Sequence, residues 1–252
     1  MFLIICACNK KSDKPAVFSP RNYSIQNSAE AKAQYDNSNY GIYKAVAISA
    51  NDSMATFKFD IYNSSNIPFI HLYRNLVLQD SLIRYVKLNV VTPTPDTSTI
   101  PENANFYSTE FASHIPGWGP IVGFGVSSHG ANPLLDVQLF NNSTTRTILK
   151  ETSTDLVRCF EGTYEGVDCG KIAWLMTSDS LAGVRKSTCV HQFFHVMSAN
   201  IAGNSFTITQ HDDISGTTFV FTGIVTGNTC NGTWTSSAAP SVVNTFSAIR
   251  TS

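Results

Sequence analysis

The sequence predicts an all-β protein: antiparallel meander modules of barrel or sandwich type, with one short N-terminal helix. Three observations carry that prediction. From Tyr40 onward apolar side chains recur at every second position, the period of a strand with one buried face. Clusters of Asn, Asp, Gly and Ser interrupt these runs at short intervals, which is turn chemistry. Only "AEAKAQY" concentrates good helix formers. With 42% hydrophobic and 14% charged residues, the chain has the apolar content to fill a core.

Residues 1–8 read as a truncated lipoprotein signal ending at Cys8. Phe2-Leu3-Ile4-Ile5 supplies an apolar segment, and Ile5-Cys6-Ala7-Cys8 resembles a bacterial lipobox, in which a Cys after small residues is lipidated on cleavage. Acyl chains on Cys8 would hold the protein at a membrane through about 0.8 kcal/mol per buried methylene. The alternative is an unprocessed, unstructured N-terminus. A metal site from Cys6 and Cys8 is disfavoured, since zinc loops space their cysteines two to four residues apart.

Residues 9–37 form a polar tether carrying the short helix. Asn27 and Glu30 have capping-box spacing, and "AEAKAQY" then gives about two turns before Asp36 to Asn39 stop it. Residues 38–150 are an N-terminal β module. "MATFKFDIY" puts Phe57, Phe59 and Ile61 on one face and Thr56, Lys58 and Asp60 on the other. "NLVLQDSLIRYVKLNVV" reads as strand, turn at Gln79-Asp80-Ser81, strand. Residues 92–120, rich in proline, read as a long loop before "IVGFGVSSHG" and "LLDVQLFN" resume strand character.

Residues 151–252 are a C-terminal β-meander module. Its strand candidates are "RCFEGTYEG", "KIAWLMT", "LAGVRKS", "HQFFHVMSA", "SFTITQH", "TTFVFTGIV", "TCNGTWTS" and "NTFSAIR". A hairpin turning at Ser178-Asp179-Ser180 places Cys169 opposite Cys189, within reach of a disulfide. Cys159 with Cys230 follows by elimination, and buried thiols are the alternative for all of these cysteines. "YGIYKAV" at Tyr40 and "FEGTYEGV" at Phe160 echo one another, which suggests two related β modules or two halves of one sheet system.

The chemistry-bearing residues are sparse. A net charge of -1 without a basic block excludes a nucleic-acid partner, and no apolar run is long enough for a membrane-spanning helix. No catalytic, phosphate-binding or metalloprotease motif is present, so no catalytic residue, metal or cofactor is assigned and an enzyme is disfavoured. Cys189, His191 and His195 share a strand face but span too far for one ion. His211, Asp212 and Asp213 read as a hairpin turn held by Asx chemistry. Trp118, between glycines in "HIPGWGP", is the binding candidate for a carbohydrate or protein ligand; folding back as a barrel plug is the alternative. Asp52-Ser53-Met54, Asp80-Ser81-Leu82 and Asp179-Ser180-Leu181 resemble O-glycosylation acceptors.

"YGIYKAVAIS", "CFEGTYEG" and "GTWTS…NTFSAIR" together resemble a group of Bacteroidota cell-envelope lipoproteins of unknown function, with departures at Ala45 and at Val243-Asn244, where glycine is the rule. The resemblance implies β-meander modules and an outer-membrane lipoprotein, periplasmic or surface-exposed, whose partner is the membrane through its lipid. The expected function is a non-enzymatic binding or structural module. The alternatives are a lipocalin-like carrier of a small apolar ligand, or a hydrolase with a loop-built site.

Overall fold

The computed structural model describes residues 25–64, 68–74, 87–90, 106–112, 121–138, 144–189, 194–213 and 215–252. The fold is all-β and antiparallel. Strands β1 (Gly41–Ser49), β2 (Met54–Ile61), β3 (Phe69–Arg74), β4 (Lys87–Val90), β5 (Phe106–Ala112), β6 (Ile121–Ser127), β7 (Asn132–Gln138) and β8 (Thr144–Glu151) form one sheet. Its order is β7-β6-β5-β4-β3-β2-β1-β8. Strands β9 (Arg158–Glu165), β10 (Gly170–Met176), β11 (Ser180–Ser187), β12 (Phe194–Ala202), β13 (Ser205–Asp212), β14 (Thr217–Thr226), β15 (Thr229–Ser236) and β16 (Ala239–Arg250) close into a barrel, β16 pairing back onto β9.

The two units share one wiring. In each the first strand pairs with the second and with the eighth: β1 with β2 and β8, β9 with β10 and β16. The sequence echo falls on the first strand of each unit, near the start of β1 and near the end of β9, and Tyr43 and Tyr164 both point into their own cores. The first sheet departs at β7 and β8, between which no ladder forms among the described residues.

The barrel interior is filled by aromatic rings. Trp174 packs edge-on against Phe206 and Phe246 at 5.4 and 5.2 Å between centroids, and Phe221 stacks on Trp234 at 5.7 Å. Such pairs contribute about 0.5–1.5 kcal/mol each beyond their buried area. Glycine makes room for them: a Cβ on Gly183 would lie 2.2 Å from Trp174 Cδ1, so only a bare backbone can pass under the indole.

β1 is buried along its whole length, on both faces. Tyr43, Ala45 and Ala47 line the first core, while Val46 and Ile48 pack against Val157, Cys159, Ala173, Leu175 and Val184 of the barrel's outer wall. Lys44 and Glu151, both fully buried, form an ion pair at 3.0 Å in this shared wall. Lys44 also donates to Val157 O, and Glu151 accepts from the Glu30, Ala31 and Val157 amides. With its hydrogen bonds so completed, the pair is tolerable without water.

Two sequence expectations are corrected. The helix over "AEAKAQY" is a single 3-10 turn, Ala33–Tyr35. Its amides have tertiary partners, Glu30 and Ala31 at Glu151 and Lys32 at Asn63, while the Glu30 carboxylate pairs with Lys58 rather than capping. The proline-rich 92–120 stretch holds β5, whose "FYSTEFA" has strand-forming residues that the prolines obscured.

Candidate functional site

The polar end of the barrel is where its interior changes chemistry. Inward positions on β9 to β14 are apolar through most of the barrel's length. Then they become Tyr164, Arg185, His195, Gln210 and Asp212, with Asp168 on the turn between β9 and β10. Arg185 is the centre. Only 1% exposed, it lies over the Phe219 ring at 4.1 Å, with Tyr164 and Phe221 at 5.3 and 5.7 Å. Cation–π contact replaces part of the water a guanidinium loses on burial.

Asp168 is the counter-charge, its Oδ2 at 3.8 Å from Arg185 Nη1, too long for a hydrogen bond. Its oxygens are occupied: Tyr164 Oη donates at 3.0 Å, Ser187 Oγ at 2.8 Å and the Cys169 amide at 2.8 Å. Arg185 Nε and Nη1 are buried without a hydrogen-bond partner, and so is Gln210 Oε1. Burial pulls the guanidinium pKa down, opposed by Tyr164, Asp168 and Asp212. Burial, reinforced by Arg185, also lowers the His195 pKa, against the pull of Asp212 and Asp168. The imidazole is therefore held neutral at physiological pH.

The wall beside this cluster is incomplete. β12 ladders with β11 from Asn200 to Phe194, and β13 with β14 from Ser205 to Asp212. Between β12 and β13, however, only Ile201↔Phe206 and Ala202↔Ser205 pair. The unladdered stretch lies toward the polar end, with half-buried His195 on β12 and buried Gln210 and Asp212 on β13.

The first sheet has its own opening, a cleft of about 490 Å³ along the unpaired β7 and β8 edges. Arg146 bridges it, donating from Nε to Leu135 O and from Nη1 to Thr144 O at 3.1 Å, with Nη2 at 3.0 Å from Asp136.

The predicted site residues fare differently. Cys169 and Cys189 are bonded, with Cα atoms 5.2 Å apart. The hairpin register is one residue from the expected one, Thr188 facing Cys169, and the bridge spans the offset. The Cys159–Cys230 pairing is overturned: both thiols are free and buried. Cys159 faces outward into the shared wall and Cys230 inward among the barrel aromatics, so the sheet itself separates them. Burial pushes both thiols up to about 12.

Of the three residues expected in a turn, His211 and Asp212 instead end β13, paired with Thr218 and Thr217, and Asp212 accepts from Ser215 Oγ at 2.6 Å and from the Gly216 amide. Of the three O-glycosylation-like serines, Ser53 and Ser180 lie at hairpins, Ser180 bonded to Thr177 Oγ1 at 2.7 Å. Cys8, Trp118, His191 and Ser81 lie outside the described residues. No group of three His, Cys, Asp or Glu side chains is placed to hold a metal among the described residues. No helix among them is long and apolar enough to cross a membrane.

Sequence reasoning missed Arg185, Asp168 and Gln210. The signal was present for one of them: in "SLAGVRKS" the alternation Leu181, Gly183, Arg185 puts a charge on the apolar face. No known protein family, curated protein or solved structure was found to match the chain.

Proposed function

We propose that the protein is a cell-envelope module, anchored to the outer membrane through a lipid on Cys8, that binds or braces rather than catalyses or carries. The observation behind this reading is the solid barrel. Trp174, Phe206, Phe221, Trp234 and Phe246 occupy the volume a lipocalin-like carrier would keep for an apolar ligand. A loop-built hydrolase is disfavoured by the state of its carboxylates: Glu151 is neutralised by Lys44, Glu161 sits in the shared wall on Thr56, and Asp168 is saturated.

The test has two arms. Membrane fractions from cells expressing the full chain should retain it, and Cys8→Ser should release it; equal retention would remove the anchor. Titration with a fluorescent fatty-acid analogue should give no saturable binding. A stoichiometric complex would restore the carrier.

A further inference from the structure

Lys44 and Glu151 meet in the shared wall in an arrangement that does more than cancel charge. Both side chains are fully buried, with Lys44 Nζ 3.0 Å from Glu151 Oε2. Val157 O accepts from Nζ at 2.8 Å, which holds the lysine head against the carboxyl. The other oxygen, Glu151 Oε1, accepts from two consecutive backbone amides, Glu30 at 2.6 Å and Ala31 at 3.3 Å. The Val157 amide donates to Oε2 at 3.2 Å. A nitrogen nucleophile thus faces a carboxyl carbon whose far oxygen lies on paired amide donors, the arrangement that stabilises the oxyanion of acyl transfer.

The surroundings favour condensation. A site without water penalises two charges, but not the neutral amide and released water that they would become. Partners held in contact within one molecule react as though present at about 10⁵–10⁸ M. Exclusion of bulk water then protects the product from hydrolysis. Glu161, whose pKa burial pushes up to about 7, adds a carboxyl that keeps its proton to the same wall. It, Lys44 and Glu151 all act electrostatically on the Cys159 thiol.

We propose that Lys44 and Glu151 are a self-modification site, at which an isopeptide bond joins β1 to the end of β8. A proton passes from Nζ to Oε2 across their contact, leaving an amine and a carboxylic acid. The Nζ lone pair attacks Cδ, and the carbonyl electron pair moves onto Oε1, where the Glu30 and Ala31 amides hold it. Its return expels Oε2, which leaves as water with the transferred proton and a second one from Nζ. One C–N bond forms and one C–O bond breaks; nothing is oxidised or reduced. Chains that have not reacted keep the ion pair. Because the amides come from the segment ahead of β1 and the carboxyl from β8, the reaction belongs to the folded state. It goes beyond the anchor and binding reading and does not depend on it.

The test is mass spectrometry of the folded full chain, denatured and digested with trypsin. The bond makes Lys44 uncleavable and should yield residues 33–58 joined to residues 151–158, one water lighter than the two peptides together. Fragment ions should place the link at Lys44 and Glu151. Lys44→Arg keeps the charge without the nucleophilic amine, and should release residues 151–158 unlinked. The Cys8→Ser chain should carry the link as wild type does, which separates this outcome from that of the anchor. Wild-type protein that yields only unlinked residues 33–44, 45–58 and 151–158 would overturn the proposal, whatever the variants do. So would a link to residues 151–158 that persists in Lys44→Arg.

Discussion

Glu161 turns the shared wall into a pH-dependent joint, and the size of the effect follows from its surroundings. The carboxyl sits on the outer face of β9, only 9% exposed, and is held by the Thr56 hydroxyl at 2.7 Å rather than by a cation. Desolvation raises its pKa from 4.5 to about 7, the Thr56 hydrogen bond opposing only part of the shift. The folded state thus binds a proton that the unfolded chain releases between those values. A raised carboxyl pKa means stability that is fully present below 4.5 and lost as pH climbs through about 7. At about 1.4 kcal/mol per pH unit, the loss is on the order of 3 kcal/mol. Glu161→Gln keeps the size and the acceptor for Thr56 while removing the charge. Above pH 7 the variant should be the more stable protein by about 3 kcal/mol, or roughly 6–12 °C in melting temperature; near pH 4.5 the two should converge. Urea unfolding followed by tryptophan fluorescence at both pH values measures the difference directly, and taking variant minus wild type cancels His195 and every other titrating group. A gap that stays constant with pH, or that widens toward acid, refutes the reasoning.

Lys44→Met should cost about 3–5 kcal/mol in the same assay, because it strands Glu151 in the shared wall. Adding Glu151→Leu should recover much of that loss, and a double-mutant cycle reads the coupling. In the native protein Cys159 and Cys230 should resist a thiol reagent at neutral pH, since both are buried with pKa values near 12, and both should react on unfolding, as peptide mapping of the labelled sites would read. Labelling that is complete in the folded state would contradict this. Gly183→Ala should destabilise by about 1–3 kcal/mol through contact with Trp174, seen as a lower urea midpoint without a change of slope.

How far the sequence could be read depended on whether the signal was local. The strands of the barrel were legible one for one, because short alternating runs and turn residues are local properties. Alternation misjudged β2: Thr56 and Asp60, on the face opposite the phenylalanines, are both buried, Thr56 against Glu161 of the barrel and Asp60 under the Asn63 and Ser64 amides of the following turn. No pattern within β2 announces a neighbour from another module. The same limit applies to the helix at Ala33, where Glu151 and Asn63, 121 and 31 positions away from their partners, override local propensity. At the candidate site, the local sequence makes Asp168 one more turn residue and Gln210 one more polar strand residue. Only the closed barrel reveals that their strands deliver them to one end.

The reach of Arg250 bears on how the molecule is made. Its guanidinium bonds Gln26 O, 224 positions earlier, and β16 is needed to complete the wall that β9 begins. Neither the N-terminal segment nor the aromatic interior is therefore secured until β16 is available. During synthesis the chain must hold Trp174, Phe206 and Phe221 in an unclosed sheet, a state prone to aggregation and slow to resolve because its decisive contacts are distant in sequence. If the chain is exported, crossing a membrane before folding suits this wiring: a protein whose first segment waits for its last strand stays unfolded long enough to be threaded.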